Sequence, residues 1–290
     1  MEFIYKYNFN EYILKIYISQ SSSIFIIGRK KDIQINLLFK KSLVFGIILL
    51  FLGKCIILAS PQDIDKSSFQ TFIGKWLYVG GNGEGNYSKI QDAIDNASDG
   101  DTVFVFNGTY FEEVIINKKI NLIGENIDNT IIHSIINISD TVIFITVDYV
   151  KIYGFTLTSK DNCIKSTYGI KITSSYCNIS NCKIIQNSFV GIAFYGKSNH
   201  NTIYRNIIKD NTYGIYLGFD QICSCFNIIK HNNFISTQLT FSLSFFNNWI
   251  SNYYDNWIGI GPKIIRGYGF IFPWIKFDWY PAKEPYNIGE

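Results

Sequence analysis

The sequence contains little methionine, histidine or proline, and few charged residues for its length. Its 290 residues include one Met, three His and five Pro, and 17% of them are charged. The apolar content of 47% supports a substantial buried core and argues against disorder. Because Ile, Tyr, Phe, Thr and Asn are abundant, we expect β-structure with many Asn-containing turns. A long helical domain is disfavoured.

Acidic residues are also scarce in the middle of the chain, where residues 150–246 contain only Asp161, Asp210 and Asp220. Glycoside hydrolysis needs two carboxylates about 5 to 10 Å apart. Calcium-dependent elimination needs several acidic ligands and a basic proton acceptor. Since the three Asp do not fall in one column of the repeat described below, the sequence predicts no catalytic residue, no metal site and no cofactor.

Residues 150–246 repeat about every 22 to 24 residues. The repeat places a glycine before an apolar strand and returns Asn at similar intervals. These features are Tyr168-Gly169-Ile170, Val190-Gly191-Ile192, Tyr213-Gly214-Ile215, Asn187, Asn211, Asn232, and the near copies Asn206-Ile-Ile-Lys-Asp-Asn211 and Asn227-Ile-Ile-Lys-His-Asn232. A unit this short cannot bury its apolar face alone and must stack on its neighbours. The repeat therefore predicts a β-solenoid.

Aligning the repeats predicts which residues stack from coil to coil. One predicted column superposes Ile152, Ile179 and Ile203, and another contains Cys182, Asn206 and Asn227. Stacked Asn side chains can hydrogen-bond along the axis of such a structure. We therefore interpret the amides as structural.

A short helix is predicted just before the first coils, over Ser88 to Ala97. Ser88 and Gln91 fit a capping box, and apolar residues then follow at i, i+3, i+4 and i+7. Such a helix would shield the open end of a stacked sheet. At the other end, residues 247–290 are rich in aromatics, which we interpret as a lid over the last coil, with sugar-stacking platforms as the alternative.

Four short motifs near this helix resemble a known family. They are Ile90-Gln-Asp-Ala-Ile94, Gly100-Asp-Thr-Val103, Gly108-Thr-Tyr110 and Ile120-Asn-Leu-Ile-Gly124. They resemble the opening of pectin-lyase-like right-handed parallel β-helix proteins, and most closely the NosD-type surface proteins of archaea and bacteria. The resemblance implies an all-β, single-stranded right-handed parallel β-helix of about six or seven coils, with the helix and the aromatic segment as its caps.

The NosD resemblance also implies a role in copper-site maturation, for which Cys, Met and His are the favoured ligands. The chain offers only Met1, His133, His200 and His231 as Met and His ligands, so a copper accessory role is only an alternative. Of the six cysteines, Cys223-x-Cys225 forms a candidate zinc half-site if Cys177 or Cys182 lies opposite. Buried single cysteines are the other interpretation, and no disulfide framework is expected.

The first sixty residues predict export. Lys40-Lys41 precede an apolar run, and we interpret residues 40–60 as a signal peptide or as an uncleaved anchor spanning 42–60. Residues 1–39 are then an overextended start or a disordered tail, 61–75 a linker, 76–246 the β-helix and 247–290 the C-terminal cap. The predicted location is extracellular or at the cell surface, with membrane contact only through residues 42–60.

The residues 150–246 carry 9 basic and 3 acidic groups, a net charge of +6. Their candidate ligand-binding residues are Arg205, Lys209, Asp210, Lys230 and His231, with Lys209 and Lys230 predicted to stack one coil apart. The predicted partner is a polysaccharide or envelope glycan, with no nucleic-acid partner. We therefore expect an exported, non-catalytic surface protein that presents a polar face to glycan, with a polysaccharide lyase, hydrolase or epimerase as the main alternative.

Overall fold

The structure is a computed structural model that describes residues 3–9, 12–18, 24–28, 74–134, 140–159, 167–220, 223–269 and 272–289. The chain divides into two compact units, Met1–Gln70 and Thr71–Glu290. The first contains β1 (Phe3–Phe9), β2 (Tyr12–Ile18) and β3 (Ile24–Gly28), paired as an antiparallel sheet. Strands were not predicted here. The apolar segment 42–60 lies outside the described residues.

The second unit begins with β4 (Trp76–Val79) and the helix α1 (Ile90–Asn96). The strands that follow are β5 (Thr102–Val105), β6 (Gly108–Phe111), β7 (Val114–Ile116), β8 (Asn121–Gly124), β9 (Thr130–His133), β10 (Thr141–Ile145), β11 (Lys151–Tyr153), β12 (Thr156–Thr158), β13 (Tyr168–Ile172), β14 (Asn178–Ser180), β15 (Lys183–Ile185), β16 (Val190–Phe194), β17 (Thr202–Tyr204), β18 (Ile207–Lys209), β19 (Tyr213–Leu217), β20 (Ile228–Lys230), β21 (Asn233–Ile235), β22 (Gln238–Phe241), β23 (Asn248–Ile250), β24 (Tyr253–Tyr254), β25 (Lys263–Gly269) and β26 (Phe272–Asp278).

These strands wind into three parallel sheets. Sheet 1 contains β4, β5, β8, β11, β14, β17, β20 and β23; sheet 2 contains β6, β9, β12, β15, β18, β21 and β24; and sheet 3 contains β7, β10, β13, β16, β19 and β22. Successive strands of one sheet belong to successive turns of the chain. The fold is therefore the predicted all-β, right-handed parallel β-helix, with about seven turns.

Inward-facing apolar side chains stack in columns to form the core. In sheet 1, Ile152 pairs with Ile179 and Ile179 with Ile203, which confirms the predicted column. These side chains are at most 1% exposed. Because each turn buries its apolar face against the next, the core is continuous along the axis.

Asn ladders line the corners of the coil. At the corner between sheets 1 and 2, the Oδ1 atoms of Asn206, Asn232 and Asn252 each accept the backbone N–H of the residue one turn before, at 2.9 to 3.0 Å. Asn227 belongs to a separate ladder at the corner that precedes sheet 1, where it accepts the N–H of Asn201. Its predicted place in the column of Cys182 and Asn206 is therefore wrong.

The helix α1 begins differently from the prediction. No side chain caps it from the preceding segment, so the predicted capping box at Ser88 is wrong. Instead, the Glu112 carboxylate, one turn later, accepts the backbone N–H groups of Ile90 and Gln91 at 2.9 and 3.0 Å. An ionised carboxylate forms a stronger hydrogen bond than a hydroxyl does, which explains the replacement.

The side chain of Gln91 meets the edge of sheet 3. Its Oε1 accepts the N–H of Ile115 in β7 at 2.8 Å, and its Nε2 donates to the Ile115 carbonyl at 3.2 Å. The side-chain amide of Gln91 thus hydrogen-bonds to β7, the first strand of sheet 3, as the backbone of a neighbouring strand would. These contacts are what shielding of the sheet edge requires, although the role of α1 as a cap stays a prediction.

After the last coil, β25 and β26 form an antiparallel hairpin, and β26 also pairs with β23. Asp278 of β26 is fully buried and ends the ladder of Asn206, Asn232 and Asn252 by accepting the N–H of Asn252 at 2.8 Å. The chain then passes back along the corner between sheets 1 and 2, where the Ala282 N–H donates to the Asn252 carbonyl. We call residues 281–289 the C-terminal tail.

Candidate functional site

Basic side chains gather at the corner between sheets 1 and 2. Arg205 and His231 follow β17 and β20, one turn apart, with φ angles of 52° and 54°. The next residue on each turn is an inward Asn of the ladder, so this left-handed conformation recurs for structural reasons. Lys230 lies beside them and pairs in register with Tyr204. We call Arg205, Lys230 and His231 the basic corner.

The rings of Tyr204 and Tyr286 contact Lys230 and His231 of the basic corner. The Lys230 Nζ lies 5.1 Å from the centroid of the Tyr204 ring, a cation–π distance. The His231 ring lies between the rings of Tyr204 and Tyr286, with centroid separations of 5.6 and 5.3 Å. All three basic side chains are half-buried. Aromatic contact thus replaces part of their hydration, while the charges of Arg205 and Lys230 remain accessible to solvent.

The C-terminal tail forms one wall of the basic corner. Tyr286 donates its backbone N–H to Asn233 Oδ1 and accepts Asn233 Nδ2 at its carbonyl, both at 2.8 Å. Its hydroxyl donates to the Ser251 carbonyl at 2.6 Å, and burial is the main cause of its raised pKa. Arg205 donates one guanidinium N–H to the carbonyl of Asn287 at 2.6 Å. The tail residues carried no repeat pattern, so the sequence did not predict them here.

Lys209 and Asp210 lie elsewhere. Lys209 ends β18 in sheet 2 and pairs with Ile235, whereas Lys230 is in sheet 1, so the predicted stacking of Lys209 on Lys230 is wrong. Lys209 is 3.8 Å from Asp210, and both are exposed. Of the five predicted site residues, the fold brings together Arg205, Lys230 and His231.

Among the described residues, no salt bridge joins an acidic side chain to the basic corner. The salt bridges of these residues are Lys183 with Asp128 and Lys209 with Asp210. The buried Asp278 is committed to the backbone and side chains of the last coil. The corner therefore offers positive charge and aromatic edges to solvent, which is the chemistry that recognises a carboxylate or sulfate group.

The cysteines do not form the predicted zinc half-site. Cys223 and Cys225 are joined as a disulfide, which removes both thiols as zinc ligands and differs from the interpretation of these two as buried single cysteines. Cys177 and Cys182 are free and buried at the beginning of the two Asn ladders. Burial raises the pKa of Cys182 to about 12, so its thiol stays protonated and inert at neutral pH.

The fold defines the class of protein as a parallel β-helix, and comparison with known families defines it further. The family described as "Periplasmic copper-binding protein (NosD)" matches residues 94–260. Since this match spans more than half of the chain, the protein belongs to the NosD family. A periplasmic family agrees with the expectation of an exported protein. No curated protein matches the chain.

Solved structures similar to this chain are β-helix proteins of low sequence identity. Pectin methylesterase from Yersinia enterocolitica is 12% identical with a TM-score of 0.47, and the alignment covers 61% of this chain and 82% of that one. Alginate lyase from Paenibacillus sp. str. FPU-7 is 15% identical with a TM-score of 0.46, covering 62% and 76%. Pectin methylesterase PemA from Erwinia chrysanthemi is 11% identical with a TM-score of 0.42, covering 76% and 92%.

The described residues do not fit the copper site that the family description implies. Nowhere within them do three His, Cys, Asp or Glu side chains converge closely enough to hold a metal ion. His200 is stacked between the rings of Tyr176 and Phe226, at centroid distances of 5.0 and 5.3 Å. His231 belongs to the basic corner, and His133 lies against Phe111 on sheet 2. The three histidines are thus dispersed rather than gathered.

A row of stacked rings runs along another corner, before sheet 1. It consists of Tyr149, Tyr176, His200, Phe226 and Phe246, with neighbouring centroids 5.0 to 5.3 Å apart and planes within 10° of parallel. Because the three inner rings are covered on both faces, only their edges meet solvent. A sugar stacks on a ring face, so we interpret this row as structural.

Within the described part of the chain, no helix has the length and apolar character needed to cross a membrane. The predicted segment 42–60 is not among those residues.

Proposed function

We propose that this NosD-family protein is an exported, non-catalytic scaffold that binds acidic glycan at the basic corner. The observation that carries the proposal is the convergence of Arg205, Lys230 and His231 beside Tyr204 and Tyr286, where no salt bridge of the described residues neutralises them. Uronate carboxylates or sulfate groups would supply the missing negative charge, and the tyrosines would contact the sugar rings at their edges.

The positions of Asp210 and Asp220, the two acidic residues between residues 167 and 246, support a binding role of these coils over catalysis. In the described coils from residue 167 onward, Asp210 lies beside Lys209 and Asp220 accepts the backbone N–H of Gly196. Asp210 is in the turn after sheet 2 and Asp220 follows sheet 3, so the two flank no common groove. Neither arrangement resembles the paired carboxylates that hydrolysis needs.

The proposed location outside the cytoplasm rests on two supports. The family is described as periplasmic, and Cys223 and Cys225 form a disulfide, which persists in oxidising compartments. A surface location, with a signal peptide or an anchor at residues 40–60, goes beyond these supports and belongs to the proposal.

Binding of the full chain to polygalacturonate, measured at low and high salt, tests the proposal. Exposed charge pairs contribute roughly 0.5 to 1 kcal/mol each, so Arg205→Ala/Lys230→Ala should weaken binding roughly 5- to 30-fold at low salt. Salt should weaken the wild type in the same direction because the screening length is about 8 Å at physiological ionic strength. An uncharged glucan should bind less.

Lys197→Ala/Lys209→Ala is the matched control, since it removes the same charge from exposed positions away from the corner. Equal weakening by the two double variants would mean that only net charge matters, and the basic corner would lose its role. Shortening of the polygalacturonate during incubation would instead favour the carbohydrate-active enzyme alternative.

A further inference from the structure

The C-terminal end of the β-helix exposes an unusual amount of apolar surface. Within the residues that the structure describes, five of the six most exposed large hydrophobic side chains follow residue 257. They are Ile258 at 84%, Tyr280 at 83%, Ile260 at 79%, Trp279 at 63% and Tyr268 at 61%. A soluble protein rarely leaves several such side chains together in solvent, and such patches mark interaction sites.

The hairpin of β25 and β26 separates an inner from an outer face. Ile265 and Asp278 are at most 1% exposed and face the last coil, whereas Ile264 and Ile275 are 47% and 48% exposed on the outer side. The outer side is therefore not needed to cover the core. Its exposure is a separate feature of the sequence.

The loop before the hairpin presents two aliphatic side chains at its tip. Ile258 and Ile260 alternate with Gly259 and Gly261, which have φ angles of 82° and 68° and open space around them. No structural contact explains why isoleucine occupies positions that are about four-fifths exposed. We call this loop, together with the outer side of the hairpin, Trp279 and Tyr280, the apolar end.

The charge of this region identifies the partner chemistry. Residues 256–277 contain Lys263, Arg266 and Lys276 and no acidic residue. Lys276 lies over the Phe241 ring, so the positive charge at the surface comes from the exposed Arg266 and the half-buried Lys263, with the exposed Asp255 just before the loop. Exposed aliphatic side chains next to Trp, Tyr and basic residues match the interface of an anionic membrane, where aliphatic groups enter the acyl region and aromatic rings lie at headgroup depth. Sugar-binding platforms use flat aromatic faces, so the two isoleucines would contribute little to a glycan.

We propose that the apolar end docks on the surface of a lipid bilayer that contains anionic phospholipid, with Ile258 and Ile260 inserted and Trp279 and Tyr280 at the interface. This contact adds to the membrane contact predicted for residues 42–60 alone. It is independent of glycan binding at the basic corner.

Quenching of tryptophan fluorescence by dibrominated lipid tests the proposal in the full chain. All five tryptophans lie at or after Trp76, so the signal does not report on residues 42–60. We expect quenching on vesicles of phosphatidylglycerol and phosphatidylcholine and roughly tenfold weaker partitioning on phosphatidylcholine alone. Trp279→Phe should reduce the quenched component, whereas Trp76→Phe, which changes a tryptophan 53% exposed at the other end, should leave it intact.

Ile258→Ser/Ile260→Ser should weaken partitioning by roughly a hundredfold or more, because two aliphatic side chains no longer leave water. The control, Ile115→Ser/Ile250→Ser, changes two isoleucines 39% and 42% exposed elsewhere and should have little effect. Quenching that depends on Trp76, or that persists in the Ile258/Ile260 variant, would overturn the proposal. So would a doubling of mass without vesicles that this variant abolishes, since the partner would then be a second copy of the chain.

Discussion

Replacing Asp278 by Asn should destabilise the protein, although the two side chains have the same shape. The fully buried carboxylate accepts four hydrogen bonds: from Ser251 N at 2.9 Å, Asn252 N at 2.8 Å, Asn252 Nδ2 at 3.0 Å and Tyr254 Oη at 3.1 Å. Its Oδ1 accepts the first and its Oδ2 the other three. An amide must place its NH₂ at one of these positions and so face at least one donor.

The less costly orientation places the NH₂ of Asp278→Asn toward Ser251. That orientation loses one charge-assisted hydrogen bond and makes the other three neutral. Because a hydrogen bond to a charged group contributes about 1.5 to 3 kcal/mol, and relief from burying the charge offsets part of the loss, we expect a net destabilisation of about 2 kcal/mol. For a unit of this size that lowers the melting temperature by roughly 4 to 8 °C.

The opposite substitution, Asn206→Asp, tests the same matching of donors and acceptors within the Asn ladder. Asn206 donates its Nδ2 to the Ile179 carbonyl at 2.9 Å and to Asn232 Oδ1 at 3.0 Å. Asn206→Asp replaces this donor with an anionic oxygen facing two acceptors, so it should destabilise by about 3 to 5 kcal/mol at pH 7. The cost should fall near pH 4, where the new carboxyl group becomes protonated and can donate.

Denaturant unfolding followed by circular dichroism measures both effects, with Asn248→Asp as the control because Asn248 is exposed on sheet 1. We expect the control to change stability by less than about 0.5 kcal/mol. If Asp278→Asn is equally neutral, or if Asn206→Asp costs no more than the control, donor and acceptor matching does not decide which residue occupies each ladder position.

Two further predictions concern Lys276 and the coil register. Burial lowers the pKa of Lys276 to about 7, so the unfolded chain binds more protons between pH 7 and 10.5, and stability should rise with pH across that window. Lys276→Met should flatten this rise. It should also stabilise the protein at pH 6 by on the order of 2 kcal/mol, a figure reduced to allow for the partial exposure of the side chain. Parallel pH profiles of the free energy of unfolding for the variant and the wild type would contradict this prediction. Inserting one residue between Ile203 and Asn206 should lower thermal stability far more than inserting one after Gly196, where a side chain meets open space; equal losses in melting temperature would refute the assigned register.

The glycine column shows why the fold was predictable. Tyr168, Val190 and Tyr213 pair in register, so Gly169, Gly191 and Gly214 stack as their spacing predicts. A Cβ on Gly191 would lie 2.7 Å from the Gly214 carbonyl oxygen, closer than side chains come. Glycine is thus required by contact between turns, and a contact that recurs on every turn leaves a periodic mark in the sequence.

The near-copied strings misled the alignment for an equally physical reason. Asn206-Ile-Ile-Lys-Asp-Asn211 and Asn227-Ile-Ile-Lys-His-Asn232 each describe a corner Asn, a three-residue strand, a left-handed residue and the next corner Asn. The first string occupies sheet 2 and the second sheet 1. They are copies of one side of the coil, whereas the full turn from Asn206 ends at Asn232. Lys209 was consequently placed beside Lys230.

Because the number of residues per turn varies, the repeat period could not show that Lys209 and Lys230 lie in different sheets. Ladder neighbours are 24 residues apart from Cys177 to Asn201, 26 from Asn201 to Asn227 and 20 from Asn227 to Asn247. The added residues are accommodated in the loops outside the strands, where they do not disturb the inward columns. Asn hydrogen bonds, rather than a fixed repeat length, therefore hold the register.

The difference between repeating inward positions and non-repeating outward positions also explains where functional residues can lie in this protein. Inward positions are occupied by stacked apolar residues and ladder amides, which the fold itself requires, so their abundance carries no information about a ligand. The proposed functional residues are instead outward and non-repeating. Arg205 and His231 use corner positions whose side chains the ladder does not constrain, and the C-terminal tail and apolar end follow the last coil. Sequence periodicity could predict the scaffold, but these surfaces depend on tail contacts and exposure that only the folded chain defines.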